Sequence, residues 1–237
     1  MRLSAPIYQL KRRAKLIARD EKIALHEALN RVAREEGYAE WSLLSSQTAM
    51  HLSSKTMLSR LADGDMLLLG ARPGHGKTLL GLDLLLAAAR QGRKGVFFTL
   101  EYTQAETWQR IRRLGGDAVD LGNRLEIVTS DEICADYIMH YLSSPARGTV
   151  AVIDYLQILD QRRTKPPLSD QMLALRDFAR KTGIVLAFIS QIDRSFDPEQ
   201  KPVPDLRDVR LPNPVDLKFF TKACFLHSRK AQLQEIA

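Results

Sequence analysis

Four apolar residues, Met66-Leu67-Leu68-Leu69, run through Gly70 into Ala71-Arg72-Pro73-Gly74-His75-Gly76-Lys77-Thr78, and then into the apolar stretch Leu79 to Ala89. A buried strand that empties into a glycine-bearing turn and then a long apolar helix narrows the fold to an α/β domain whose helix packs back on the sheet. The same turn sets a chemistry. Its glycines let backbone N–H groups face an anion, and the helix N-terminus adds a favourable partial charge. Arg72, Pro73, Gly74, His75, Gly76, Lys77, Thr78 and Leu79 then form a cradle for a nucleoside triphosphate. Lys77 reaches the β- and γ-phosphates, and the Thr78 hydroxyl ligates Mg²⁺. Ala71 stands where the usual pattern has its first glycine, and Gly70 lies one step earlier. A chance Gly-Lys-Thr at a helix start would leave the strand before it and the helix after it unexplained.

At 237 residues the chain fits one large domain, or one domain with an appendage. A hydrophobic content of 45% suits a packed core. The net charge of +7 and pI of about 9.5 permit contact with nucleic acid without specifying it. Cys134 and Cys224 lie far apart without metal-ligand spacing, as expected of reduced thiols in a cytoplasmic protein. The apolar helix is too short to span a membrane and carries Asp83, and the basic N-terminus has no apolar core of a signal peptide.

Residues 1–50 differ from the rest and read as a small helical appendage to a domain over 51–237. Lys11, Arg12, Arg13, Lys15 and Arg19 form a basic run, either a nucleic-acid contact or a solvated helix face. Leu25, Ala28, Leu29, Val32 and Ala33 keep helical spacing up to Gly37, and a second short helix is expected over 38–44. Residues 47–65 read as a connector. From Met66 onward strand and helix alternate, which implies a mostly parallel sheet flanked by helices. Strands are expected at 66–71, 95–100, 125–128, 149–154, 184–190 and 222–227, and helices at 77–91, 103–114, 131–144 and 169–182. Thr103 and Glu106 have capping-box spacing. The prolines between Ser195 and Pro214 oppose helix and central strand and predict a long loop.

Three further apolar strands end in polar residues. Val150 to Ile153 leads to Asp154, either a magnesium ligand at a strand C-terminus or a turn carboxylate. Val96 to Leu100 leads to Glu101, either the group that activates the attacking water or a pre-helix acid. Ile184 to Ser190 leads to Gln191, either a γ-phosphate sensor or a turn glutamine, with Asp193 and Arg194 following at once. The loop with Arg162, Arg163 and Lys165 is either a phosphate-backbone contact or a solvated charge cluster.

Ala71–Thr78, Thr99-Leu100-Glu101, Ile153-Asp154-Tyr155-Leu156-Gln157, Ser190-Gln191-Ile192-Asp193-Arg194 and Asp205-Leu206-Arg207 occur in one order that resembles the RecA-like ATPase domain of DnaB-type replicative helicases, over about 60–228. The resemblance implies a RecA-like P-loop fold with ATP and Mg²⁺, Glu101 as catalytic carboxylate, Asp154 as metal acid and Gln191 as sensor. It sets the loops near 161–168 and 195–214, with Arg162, Arg163, Lys165, Arg194 and Arg207, against single-stranded DNA, in a ring or filament of subunits. The chain departs from the family in its short appendage, and in ending before the later strands whose Lys and Arg reach the neighbouring subunit's nucleotide. Arg229 and Lys230 come before that position. Binding of ATP is therefore expected to survive better than fast turnover, and processive unwinding is not expected. Two function classes follow: an ATPase acting on DNA, or a nucleotide-dependent interaction module that docks a replication or mobile-element partner. A small-molecule kinase fits the cradle but lacks an evident lid or acceptor-binding acid.

Overall fold

The computed structural model describes residues 4–5, 7–41, 53–154, 156, 159, 166–201, 203–210, 216–227 and 230–236. The chain divides into two compact units, Met1–His51 and Leu52–Ala237.

In the first unit, helices α1 (Ile7–Asp20) and α2 (Leu25–Glu35) pack through Leu10, Ala14, Ala28, Val32 and Ala33. The apolar spacing that predicts α2 is its buried face. The basic run lies on α1, where Lys11, Arg12, Lys15 and Arg19 are exposed and Arg13 pairs with Glu35 at 2.7 Å. The helix expected over 38–44 lies outside the described residues beyond Trp41, and the basic loop 160–165 lies outside them altogether.

The second unit opens with α3 (Ser54–Ser59), a short helix inside the expected connector, capped by the Ser53 side chain. There follow β1 (Met66–Ala71), α4 (Lys77–Arg90), β2 (Gly95–Thr99), α5 (Gln104–Arg113), α6 (Ala118–Leu121), β3 (Leu125–Val128), α7 (Ala135–Tyr141), β4 (Val150–Asp154), α8 (Leu168–Thr182), β5 (Val185–Gln191), β6 (Lys222–His227) and β7 (Lys230–Glu235). The strands make one sheet in the order β3-β2-β4-β5-β1-β6-β7, with every neighbouring pair parallel except β6 and β7. Parallel strands are covered on both faces, which is why their sequences read as continuous apolar runs. Leu67, Leu69, Phe97, Val152 and Ile189 face the cluster containing α4, whereas Met66, Leu68, Phe98, Ile153 and Phe188 face the one containing α7 and α8.

The six expected strands are all present. β2 stops at Thr99, one residue early, and β5 sits one residue later than its apolar run. The helix expected at 131–144 is only Ala135–Tyr141. Its N-terminus is fixed from elsewhere: the Ala135 amide donates to Gln171 Oε1 at 3.0 Å, while Glu132 and Ile133 are held in a turn by Ser130. The capping box of α5 forms as its spacing predicts. At the opposite end of β1 from the glycine turn, Asp65 accepts from Thr221 Oγ1 at 2.7 Å and Lys222 Nζ at 2.9 Å. This nearly buried pair ties β1 to β6.

Candidate nucleotide-binding site

The turn after β1 takes the shape its glycines allow. Gly74 and Gly76 adopt φ of +77° and +86°, the left-handed region that side chains with a Cβ avoid. Gly76 is also the N-cap of α4, so no side chain caps the helix, and no acid sits in its first turn. The N–H groups there are left to an external acceptor, the condition for anion binding. Lys77 and Thr78 are buried at the start of α4, while Pro73, Gly74 and Leu79 are exposed around the turn. Ala71 in the first-glycine position is still strand, paired with Gln191 and Leu226. The glycine one step earlier answers a packing need: a Cβ on Gly70 would lie 2.7 Å from the Phe225 ring.

Three strand ends meet this turn. Thr99 and Asp154 are register partners on β2 and β4, and Gln191 is the register partner of Ala71. Alternation along the strands puts all three on the α4 face. Asp154 is fully buried, and neither carboxylate oxygen has a hydrogen-bond partner among the described residues. Burial, and next the nearby Glu101 charge, push its carboxyl up to about 6. Thr78, Lys77 and Arg110 pull the other way, the Thr78 hydroxyl approaching without closing a well-aligned bond. A buried acid whose oxygens accept no hydrogen bond among the described residues suits a cation, and with the Thr78 hydroxyl it offers the oxygen donors that Mg²⁺ takes. Glu101 is exposed in the bend after β2, and its amide donates to Thr99 Oγ1 at 3.1 Å. Gln191 is half-buried, and its carbonyl accepts from the Arg210 amide at 2.8 Å.

The side chain of Arg72 turns away from the glycine turn. Its Nη2 donates to the Arg194 carbonyl at 2.6 Å and also to that of Phe196, and its guanidinium lies 5.4 Å from the Phe196 ring centroid. Phe196 meets His227 edge-on at 5.2 Å, and His227 stacks on His75 at 4.9 Å. No local spacing in the sequence signals contacts of this range. Within the loop expected over 195–214, the described residues hold a 3₁₀ turn at Leu206–Asp208 and one bridge, Ile192 to Val209. Arg194 is exposed, whereas the exposed Arg207 donates to Asp205 at 2.9 Å and holds that carboxyl below its ordinary range. Arg162, Arg163 and Lys165 lie outside the described residues. Gln171, buried in α8, donates to the carbonyls of Leu159 at 2.7 Å and Pro166 at 2.8 Å, the two ends of that loop. No helix among the described residues is long and apolar enough to cross a membrane.

The sheet order, the glycine turn and the strand-end residues define a P-loop NTPase of the RecA-like class. The family model described as ATPase: KaiC matches residues 54–203, well over half of the chain. The chain belongs to that KaiC ATPase family, and it is homologous to DnaB-type helicases, as its motifs imply. A probable plasmid replicative DNA helicase of Chlamydia muridarum is 27% identical over an alignment 180 positions long that covers 63% of this chain and 40% of that protein. The chain thus spans about 40% of the length of such relatives. Among solved structures, one isolated ATPase domain superposes with a TM-score of 0.60 at 20% identity, over 86% of this chain and 83% of that one. A DnaB-like replicative helicase, solved with its interactions with primase in view, gives 0.59 at 16% identity over 97% and 74%. These likenesses carry the fold.

Proposed function

We propose that this chain binds ATP with Mg²⁺ and hydrolyses it as a DnaB/RecA-like motor or switch acting on DNA. The observation that carries the reading is Asp154: a fully buried acid whose oxygens find no partner among the described residues, at the mouth of the Lys77–Thr78 turn. In this proposal Arg72 to Leu79 wrap the phosphates through the backbone, and Lys77 supplies the charge on the β- and γ-oxygens. Thr78 and Asp154 hold Mg²⁺, which when bound neutralises charge across those phosphates. Glu101 accepts the proton of the attacking water, and Gln191 senses the γ-phosphate and passes its loss to the segment that begins at Asp193.

Single-stranded DNA is the proposed substrate surface, met by Arg194 and by Arg162, Arg163 and Lys165. Arg207 joins only by releasing Asp205. The same reading has the chain work in the cytoplasm, in a ring or filament of subunits and with a replication partner; the replicative helicase solved with its interactions with primase supports the partner. Residues 1–50 would be an appendage to the ATPase core over 51–237.

Titration with a fluorescent ATP analogue tests the cradle. Lys77→Ala should weaken binding by about 10- to 100-fold, since charge-assisted hydrogen bonds contribute roughly 1.5–3 kcal/mol each. Unchanged affinity refutes the assignment. Phosphate release with and without single-stranded DNA tests the rest: stimulation supports the ATPase, and tight binding without turnover assigns the chain to the interaction-module class.

A further inference from the structure

The bend that carries Glu101 is fastened on both sides. Before it, the Glu101 amide donates to Thr99 Oγ1 at 3.1 Å, and Thr99 is fully buried in register with Asp154. After it, the Tyr102 ring lies under the Arg110 guanidinium, whose Cζ is 3.8 Å from the ring centroid, a close cation–π contact. Arg110 also donates to the Glu106 carbonyl at 3.1 Å, and Glu106 closes the capping box with Thr103. One turn of α5 is thereby coupled to the residue next to Glu101. The last turn of α5 carries three arginines, Arg110, Arg112 and Arg113. Arg112 and Arg113 are exposed, and Arg110 is the one drawn back over the bend. Its charge also reaches the buried floor of the site, where it is among the groups that pull the Asp154 carboxyl down.

We propose that Arg110 and Tyr102 form a positioning clip that fixes Glu101 toward the γ-phosphate, resting on the reading of Glu101 as the carboxylate that activates water. Neither residue of the clip touches the nucleotide in this proposal. Arg110 acts through Tyr102 and the α5 backbone. A misplacement of about 1 Å at a reacting group lowers a rate by roughly a hundredfold. Loss of the clip should therefore appear in kcat and leave ground-state nucleotide binding alone.

The test compares wild type, Arg110→Gln, Arg110→Lys, Tyr102→Ala and Tyr102→Phe by steady-state ATP hydrolysis. It adds the affinity of a fluorescent ADP with Mg²⁺, with and without aluminium fluoride as a γ-phosphate mimic. Arg110→Gln and Tyr102→Ala should lower kcat about 10- to 100-fold with KM changed by less than about threefold. Both should also lose the tightening that fluoride gives. Tyr102→Phe, which keeps the ring face, should recover most of the loss seen in Tyr102→Ala. Arg110→Lys, which keeps the charge without the planar fork, should recover only part. The clip is overturned if Arg110→Gln keeps wild-type kcat and fluoride tightening. It is also overturned if kcat, ADP affinity and melting temperature fall together, the mark of a residue that only supports the fold. Wild-type chain that binds ADP yet shows neither hydrolysis nor fluoride tightening overturns the reading of Glu101 itself, and the clip with it.

Discussion

The Arg72 guanidinium donates to the Arg194 carbonyl at 2.6 Å, joining the phosphate turn to the segment after β5 across 122 positions of sequence. The same group reaches the Phe196 carbonyl and ring, and the Phe196 ring meets His227 edge-on, which in turn stacks on His75. Arg72→Met removes two hydrogen bonds from a charged donor, each contributing about 1.5–3 kcal/mol. Hydrogen exchange should quicken in the amides of 194–201, while affinity for a fluorescent ATP analogue changes by less than about threefold, since the proposed cradle uses only the backbone of Arg72. Unaltered exchange in that segment would show that the turn and the segment are not coupled.

Asp154 makes the nucleotide-free protein less stable than its fold allows. Its folded-state pKa of about 6 lies above the ordinary carboxylate value, so between roughly pH 4 and 6 the folded chain holds a proton that the unfolded chain has released. Stability contributed by this group therefore falls as pH rises through that window and is level above it, a difference of roughly 3 kcal/mol. Asp154→Asn should stabilise the apo protein by about 1–3 kcal/mol in urea unfolding at pH 7.5, with little gain at pH 4, and should lose metal-dependent nucleotide binding. An Asn variant no more stable than wild type at pH 7.5 contradicts the buried, unpaired carboxylate.

Much of this arrangement is legible in the residues, and the remainder is not, for identifiable reasons. β1, the glycine turn and α4 announce themselves because strand, turn and helix chemistry coincide within 66–90. Asp154 stands out as an acid that ends a run of buried aliphatic residues. β7 was missed because Lys230–Glu235 is polar at most positions, as an edge strand can be, and its pairing with β6 is set by its neighbour. The helix expected at 131–144 is present as α7, but its late start was not legible because it depends on Gln171, 36 residues away. The Tyr102–Arg110 stack and the Arg72 contacts depend on where helices and loops land, which one sequence does not state.

Gly70 is expected to be intolerant for steric reasons unrelated to phosphate. Gly70→Ala places a methyl 2.7 Å from the buried Phe225 ring and 3.1 Å from Ile192 Cδ1. Overpacking of this kind destabilises by about 1–3 kcal/mol. Phe225→Leu should relieve part of it, so a double-mutant cycle by chemical denaturation should give a coupling of at least about 0.5 kcal/mol. Strict additivity would mean the strand moves aside instead.

Asp65 and Lys222, with side chains 9% and 14% exposed, form the nearly buried pair at the far end of β1. Asp65→Ala leaves the Lys222 ammonium without its carboxylate and the Thr221 hydroxyl with the Met66 carbonyl at 3.2 Å, and should destabilise by about 3–5 kcal/mol in urea. Nucleotide affinity, measured well below the transition, should be unchanged, because the site lies at the other end of the strand. A loss of affinity in the folded variant would show that strain travels along β1.

The clasp made by Gln171 has an evolutionary consequence. One amide gathers the chain as it leaves Leu159 and again as it returns at Pro166, so both ends are moored to α8 at a single point. Whatever is spliced between those moorings inherits a fixed gate into the core. The sequence between Leu159 and Pro166 can therefore change while β4 and α8 keep their places.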